Sequence, residues 1–397
     1  MKYELLELKQ ELKEELTHNI LPFWMNKMVD DEHGGFYGQV TGKDHLVPDA
    51  SKGGILNARI LWTFSSAAIH TKNPLYTEYA RRAKEYIFKY FFDDEFGGTY
   101  WMLNADGTPA ETKKQIYNLA FFIYALVEYF RLTNERVCLE KAVELFHLIE
   151  NHSFDNDRNG YFEAYSRDWK LLDDLRLSDK DANEKKTMNT HLHILEAYTN
   201  LYRVWDDPLL HRQLKNMIQI FLHKIINSKT HHLNLFFDEN WVCKSNQISY
   251  GHDIEASWLL FEAAEVLGEP DILDEVKKKA IKIAEAANEG FQSNGSLVNE
   301  KNCDTGHVDT NCDWWPQAEA MVGFYNVFQM TGNEIYAHKT LKSWDFVKKF
   351  IVDTQKGEWH WSVSENGKID DKNDKAGFWK CPYHNGRMCL ELMERIR

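Results

Sequence analysis

Asp31-Glu32-His33-Gly34-Gly35-Phe36-Tyr37 recurs as Asp94-Glu95-Phe96-Gly97-Gly98-Thr99-Tyr100, and again, degraded, as Asp157-Arg158-Asn159-Gly160-Tyr161-Phe162. Weaker echoes stand at 233–241, 294–299 and 357–367. With Tyr37, Tyr100, Phe162, Phe236, Leu297 and Trp359 as markers, the spacings are 63, 62, 74, 61 and 62 residues. A fixed period of this size is the mark of one supersecondary unit used repeatedly.

Between markers the sequence predicts helix, break, helix. Apolar residues at three-and-four spacing support pairs at 56–68 and 74–91, 117–132 and 137–150, 189–205 and 209–226, 254–267 and 272–288, and 317–331 and 335–351. The segment 386–396 and the N-terminal helix make the last pair. The short aromatic stretches after each Gly turn predict small β-hairpins. Two helices and a turn cannot bury an apolar face alone, so each unit must stack on its neighbours. Six units closing on themselves give an all-α (α/α)6 toroid with short hairpins in its loops, one catalytic domain over 1–397. An open solenoid would need polar capping helices, which the ends do not offer.

Composition sets the function classes. The chain has 397 residues, a net charge of −14 and 14% aromatics, with 13 Trp. An acidic protein is a poor partner for nucleic acid or anionic membrane. The abundance of Trp suggests a pocket that recognises flat apolar faces. The first residues, MKYELLELKQELKEEL, are acidic and amphipathic and lack a signal peptide's apolar core, so a cytoplasmic location is expected. None of the six cysteines forms a CxxC pair. Cys303 and Cys312 flank a loop and offer only weak support for a metal.

Candidate site residues cluster where inner helices begin. Asn189, His193 and Glu196 lie at i, i+4 and i+7 and share a face; His191 points elsewhere. Three converging polar groups suit a cavity, whereas a hydrogen-bonded core histidine is the plainer alternative. His252 and Glu255, three apart, can pair, and a carboxylate on one ring nitrogen readies the other as a base. The competing expectation is that Asp253 and Glu255 simply serve the helix N-terminus. His384 follows Tyr383 in a turn that Trp379 also borders, at a cavity rim or on the surface. Trp314 and Trp315 precede the helix that carries Glu319 and can stack on a ring or staple the helix entrance. Arg59, inside an apolar helix, needs a partner: a ligand oxygen, a cavity carboxylate or a structural ion pair. Tyr117 offers a hydroxyl.

The blocks Gly54 to Trp62, Lys186 to His193, Ser249 to Leu260 and Trp379 to Cys389, with Leu21-Pro22-Phe23-Trp24 and the Gly34-Gly35 turn, resemble the N-acylglucosamine 2-epimerase superfamily, and within it the disaccharide 2-epimerases. WKCPYHNGR, 379–387, is the most specific of them. The resemblance implies an (α/α)6 barrel, no required cofactor or metal, and His252 and His384 as an acid/base pair with His193 assisting. It also implies that Arg59, Tyr117, Asn189, Glu255 and Glu319 contact or orient the substrate, and that Trp314 and Trp379 stack on two sugar rings. Its reaction is C2 epimerisation of the reducing-end glucose of cellobiose or lactose, in a monomer or weak homodimer. The loop 301–311 stands outside the matching blocks. The residues leave open an aldose–ketose isomerase, a glycoside hydrolase built on Glu255 and Glu319, a sugar-binding toroid without turnover, and a metal on His193, His252 and His384.

Overall fold

The computed structural model describes residues 1–364 and 366–397. Lys2–Glu14 (α1) and Leu21–Asn26 (α2), joined by a wider π turn at Glu15–Ile20, open the chain. Then come Gly54–Thr71 (α3), Pro74–Tyr90 (α4), Ile116–Thr133 (α5), Arg136–His152 (α6), Met188–Tyr202 (α7) and Pro208–Ile220 (α8). Tyr250–Leu267 (α9), Pro270–Ala287 (α10), Trp314–Thr331 (α11), Glu334–Phe346 (α12) and Tyr383–Arg395 (α13) complete the set. The odd-numbered helices from α3 onward each pack on the next, and α13 returns to α3, so the inner ring closes. Helices α4, α6, α8, α10 and α12 lie outside their inner partners, and α1 covers α13. This is the (α/α)6 barrel.

The two helix classes follow from composition. In α3 every residue from Gly54 to Ala68 is buried, and a helix buried all round must have neighbours on all sides. In α4 only a stripe is buried: Tyr76, Ala80, Ala83, Tyr86 and Ile87. Inner helices turn outward through a left-handed residue, Lys72, Asn134, Gly268 or Gly332. In two of these turns an Asn then caps the outer helix: Asn73 accepts from the Leu75 N–H and Asn333 from the Ile335 N–H.

The sequence repeat is a hairpin. Six antiparallel bridges recur among the described residues: Val29 with Phe36, Phe92 with Thr99, Phe154 with Tyr161, Ile226 with Leu233, Phe291 with Leu297, and Val352 with Trp359. The sequence markers fall on or within three residues of them. At Gly35 φ is +63°, and an added Cβ would sit 2.5 Å from the Tyr86 ring. Gly35→Ala is therefore expected to cost about 1–3 kcal/mol, read as a lower denaturant midpoint with an unchanged m-value.

Sequence reasoning missed the ties that fix these hairpins to the inner helices. The buried Lys52, Lys114 and Lys186, each two residues before an inner helix, bond Asp30 at 2.6 Å, Asp93 at 2.7 Å and Asp155 at 2.8 Å. Lys375, farther from its helix, bonds Asp353. The signal was present in the first three units: a Lys two residues before the helix that follows each hairpin.

Several boundaries differ from expectation. Helices α9, α11 and α13 begin four, three and three residues before the expected 254, 317 and 386. Gly386, expected as the helix start, lies inside α13, and His384 is in its first turn rather than in a turn before it. The helices expected to run to 226 and 351 end in π turns, Phe221–Ile225 and Val347–Ile351. Asp253 does not cap its own helix; it accepts from His232 Nδ1 at 2.6 Å and the Leu233 N–H at 2.8 Å, anchoring the fourth hairpin.

Candidate active site

All six inner helices start at the same end of the ring, where the hairpins are. Their positive dipole ends therefore face one cavity of about 460 Å³. Its wall takes Arg59 from α3, Tyr117 from α5, Asn189 and His193 from α7, His252 and Glu255 from α9, Trp314 and Trp315 from α11, and His384 from α13. Trp379, Trp361, Asn373 and the loop 177–181 complete it. An adjoining lobe of about 390 Å³ shares Asn189, His252, Trp315 and that loop.

The structure thus brings together ten of the eleven site residues expected from sequence. Glu319 is set back behind His384. Its Oε1 accepts from His384 Nδ1 at 2.7 Å, and its Oε2 from Trp258 Nε1 at 3.0 Å. His193 is held alike: its Nδ1 lies 2.9 Å from Glu196 Oε2. In both pairs a carboxylate accepts a hydrogen bond from Nδ1–H, which leaves Nε2 as the basic nitrogen. The expected His252–Glu255 pair does not form. His252 Nδ1 meets Ser249 Oγ at 2.8 Å, and Glu255 turns to Arg387. Three-residue spacing put them on one helix face, but a guanidinium from α13 was the stronger partner.

Arg387 is the residue sequence reasoning left in the background, although it sits in the WKCPYHNGR block. Wholly buried, it donates to Glu196, to Glu255 Oε1 at 2.7 Å and to Glu319 Oε1 at 2.7 Å. Tyr383 also donates to Glu196. An oxygen of Glu255, one of Glu319 and a nitrogen of His384 lie within 4.8 Å of one another, a grouping with metal-like spacing. Here the cation among them is the Arg387 guanidinium.

Arg59 has no carboxylate partner among the described residues. It donates to Tyr117 Oη at 2.9 Å and the Trp379 carbonyl at 3.3 Å, and lies over the Phe121 ring. Its Nε has no hydrogen-bond partner, nor has Oδ1 of Asn189. Trp315 packs between His252 and His384, with ring centroids 4.7 Å and 5.6 Å away. Gly251 permits this, since a Cβ there would lie 2.5 Å from the Trp315 ring. Trp314 is almost fully covered and leans on Trp361, so of the pair Trp315 has the more open face. Cys303 is exposed at its hairpin, and Cys312 is buried in a strand paired with residue 363.

Burial, with His193 and His384 nearby, holds the His252 imidazole down to about 3. Burial does the same to His384, against the pull of Glu319, to about 3. The cavity imidazoles are therefore neutral bases at pH 7.

His191 shows what a structural histidine looks like in this fold. Its Nδ1 bonds the Thr187 carbonyl, and its Nε2 accepts from the Tyr161 N–H at 3.0 Å. Burial lowers it from 6.5 to about 4. Because the folded value is the lower one, the stability it contributes is complete above pH ~6.5 and is lost as pH falls toward ~4. The stability gap between wild type and His191→Gln should shrink by about 2–3 kcal/mol over that range, measured as denaturant midpoints. A gap that widens on acidification would contradict the assignment.

Comparison with known proteins adds the family. The model of the N-acylglucosamine 2-epimerase (GlcNAc 2-epimerase) family matches residues 34–386. The chain is 54% identical to a cellobiose 2-epimerase of Bacteroides fragilis, over 97% of this chain and 98% of that one. It is 39% identical to a cellobiose 2-epimerase of Ruminococcus albus, again over 97% and 98%. The solved structure of a cellobiose 2-epimerase from Bacillus thermoamylovorans superposes with a TM-score of 0.94 at 41% identity, covering 98% of this chain and 99% of that one.

Proposed function

Because the chain belongs to the N-acylglucosamine 2-epimerase family, we propose that it inverts carbon 2 of the reducing-end glucose in β-1,4-linked disaccharides, turning cellobiose into its glucosyl-mannose epimer and lactose into epilactose. One observation carries this reading: three imidazoles from three inner helices share a tryptophan-walled cavity with Arg59. Cavity and lobe together suit a ligand of two sugar rings.

The C2 proton is acidic only when C1 is a free aldehyde, so the ring must open first, with a proton moved between O1 and O5. A neutral histidine Nε2 then takes the C2 proton and leaves a cis-enediolate. Arg59, dry and short of partners, stabilises the oxyanion on O1. Rotation about C2–C3 presents the other face, and a protonated histidine returns the proton to give the mannose configuration. His252 and His384 form the acid/base pair, and His193 assists at the ring. Trp379 and the tryptophans of α11 cover the apolar sugar faces. The protein acts as one catalytic unit, monomeric or weakly dimeric, in the cytoplasm.

The test is incubation with cellobiose and with lactose in heavy water, followed by chromatography and C2 isotope analysis. Epimers carrying deuterium at C2 are expected. A ketose as main product would make the protein an isomerase, free glucose a hydrolase, and tight binding without turnover a binding toroid. Epimer without C2 deuterium would argue against solvent exchange through an enediolate. Activity abolished by strong chelation would assign a metal to the histidines.

A further inference from the structure

Three carboxylates in the floor of the cavity share one guanidinium. Arg387 donates to Glu196 on α7, Glu255 on α9 and Glu319 on α11, all buried. A single nitrogen of Arg387 serves both Glu255 and Glu319, so these two meet at close range. Carboxylates that close, in a dry site, raise each other's resistance to ionising, and one guanidinium does not balance three negative charges. One of the three must therefore be neutral, and the hydrogen bonds show which. Glu196 receives Tyr383 and Arg387 on one oxygen and His193 on the other. Glu319 receives Arg387 and His384 on one and Trp258 on the other. Both are saturated with donors, the environment of an anion. Glu255 has Arg387 on Oε1 alone, and among the described residues no protein group meets its other oxygen, although the residue lines the cavity.

We propose that Glu255 stands in the cavity as a neutral carboxylic acid and donates its proton, as a hydrogen bond, to an oxygen of the reacting sugar. The inference rests on the epimerase reading given above. Burial and the charge of Glu319 push Glu255 upward, against Arg387. The other groups facing it do not supply a second cation of its own: Arg59 donates to Tyr117 and the Trp379 carbonyl and makes no ion pair with Glu255, and His252 and His384 are neutral. A neutral acid places a donor in the cavity without adding negative charge beside a developing enediolate, where an ionised Glu255 would repel it.

The test is the pH profile of kcat/KM for cellobiose epimerisation in wild type and Glu255→Gln. Wild type should lose activity on the alkaline side as Glu255 ionises. Glutamine keeps a donor at every pH, so the variant should remain within about tenfold of wild type near pH 7 and lose the alkaline limb. A folded variant that retains the limb, or that is inactive at all pH values, overturns the proposal. Should the variant not fold, wild type decides alone. A carboxyl group ionises with almost no heat, so a limb that stays put on warming supports Glu255. A limb that moves to lower pH, as an imidazole or amine would move it, overturns the assignment. If wild type does not epimerise cellobiose at all, the functional reading has failed instead.

Discussion

A folded His384→Asn protein is expected to epimerise cellobiose about 10²–10⁴ times more slowly than wild type, the usual worth of one positioned acid/base group. The reason lies in the pairing of His384 with Glu319. Glu319 accepts a hydrogen bond from Nδ1–H of His384 and fixes the tautomer, so the remaining nitrogen can act on substrate. Asparagine can hold the Glu319 contact through its amide, but it cannot shuttle a proton. KM should change little, because Trp315, Trp379 and Arg59 still bind the rings. His252→Asn should behave alike, with Ser249 left to satisfy the amide. Near-normal epimerisation by either purified, folded variant would remove that histidine from the chemistry. Circular dichroism and a thermal melt supply the control for folding.

Arg387→Met is expected to be the most damaging single change for stability. Breaking a buried ion pair by deleting one partner typically costs about 3–5 kcal/mol, because the other charge stays buried. Here one deletion strips the cation from the Glu196 and Glu319 carboxylates and leaves the Glu255 carboxyl without its donor, on three inner helices. That loss rivals the whole stability of a typical domain, about 5–15 kcal/mol, so little soluble folded protein should accumulate. Arg387→Lys should not restore it, since an ammonium cannot reach three carboxylates with a planar fork. Partial recovery is expected in the double variant Arg387→Met, Glu319→Gln, which lowers the uncompensated charge. A folded, stable Arg387→Met protein would show that the cluster is not held by charge pairing.

The expected ring of six units and the hairpin between them were legible because the Gly-Gly turn needs left-handed backbone and therefore leaves a sequence mark. Inner and outer helices were legible as apolar runs against stripes. The errors fall where the site is built. The first turns of α9, α11 and α13 carry Gly251, the pair Trp314-Trp315 and His384. These residues have weak helix propensity or special tasks, so local pattern placed the helix starts late, and tertiary packing overrode it. The buried Lys–Asp ties were missed for the opposite reason: a charged residue before a helix reads as solvated surface.

The order of helices, the sixfold repeat and the residues able to take or give protons follow from the chain alone, because periodicity and turn chemistry are local properties. Which carboxylate serves which histidine does not. His193 found Glu196 three residues away, but His384 found Glu319 on another helix, and Glu255 was drawn from His252 to Arg387. Such choices depend on where ring closure carries each helix face, and only the folded chain brings residues so far apart in sequence to within hydrogen-bond distance.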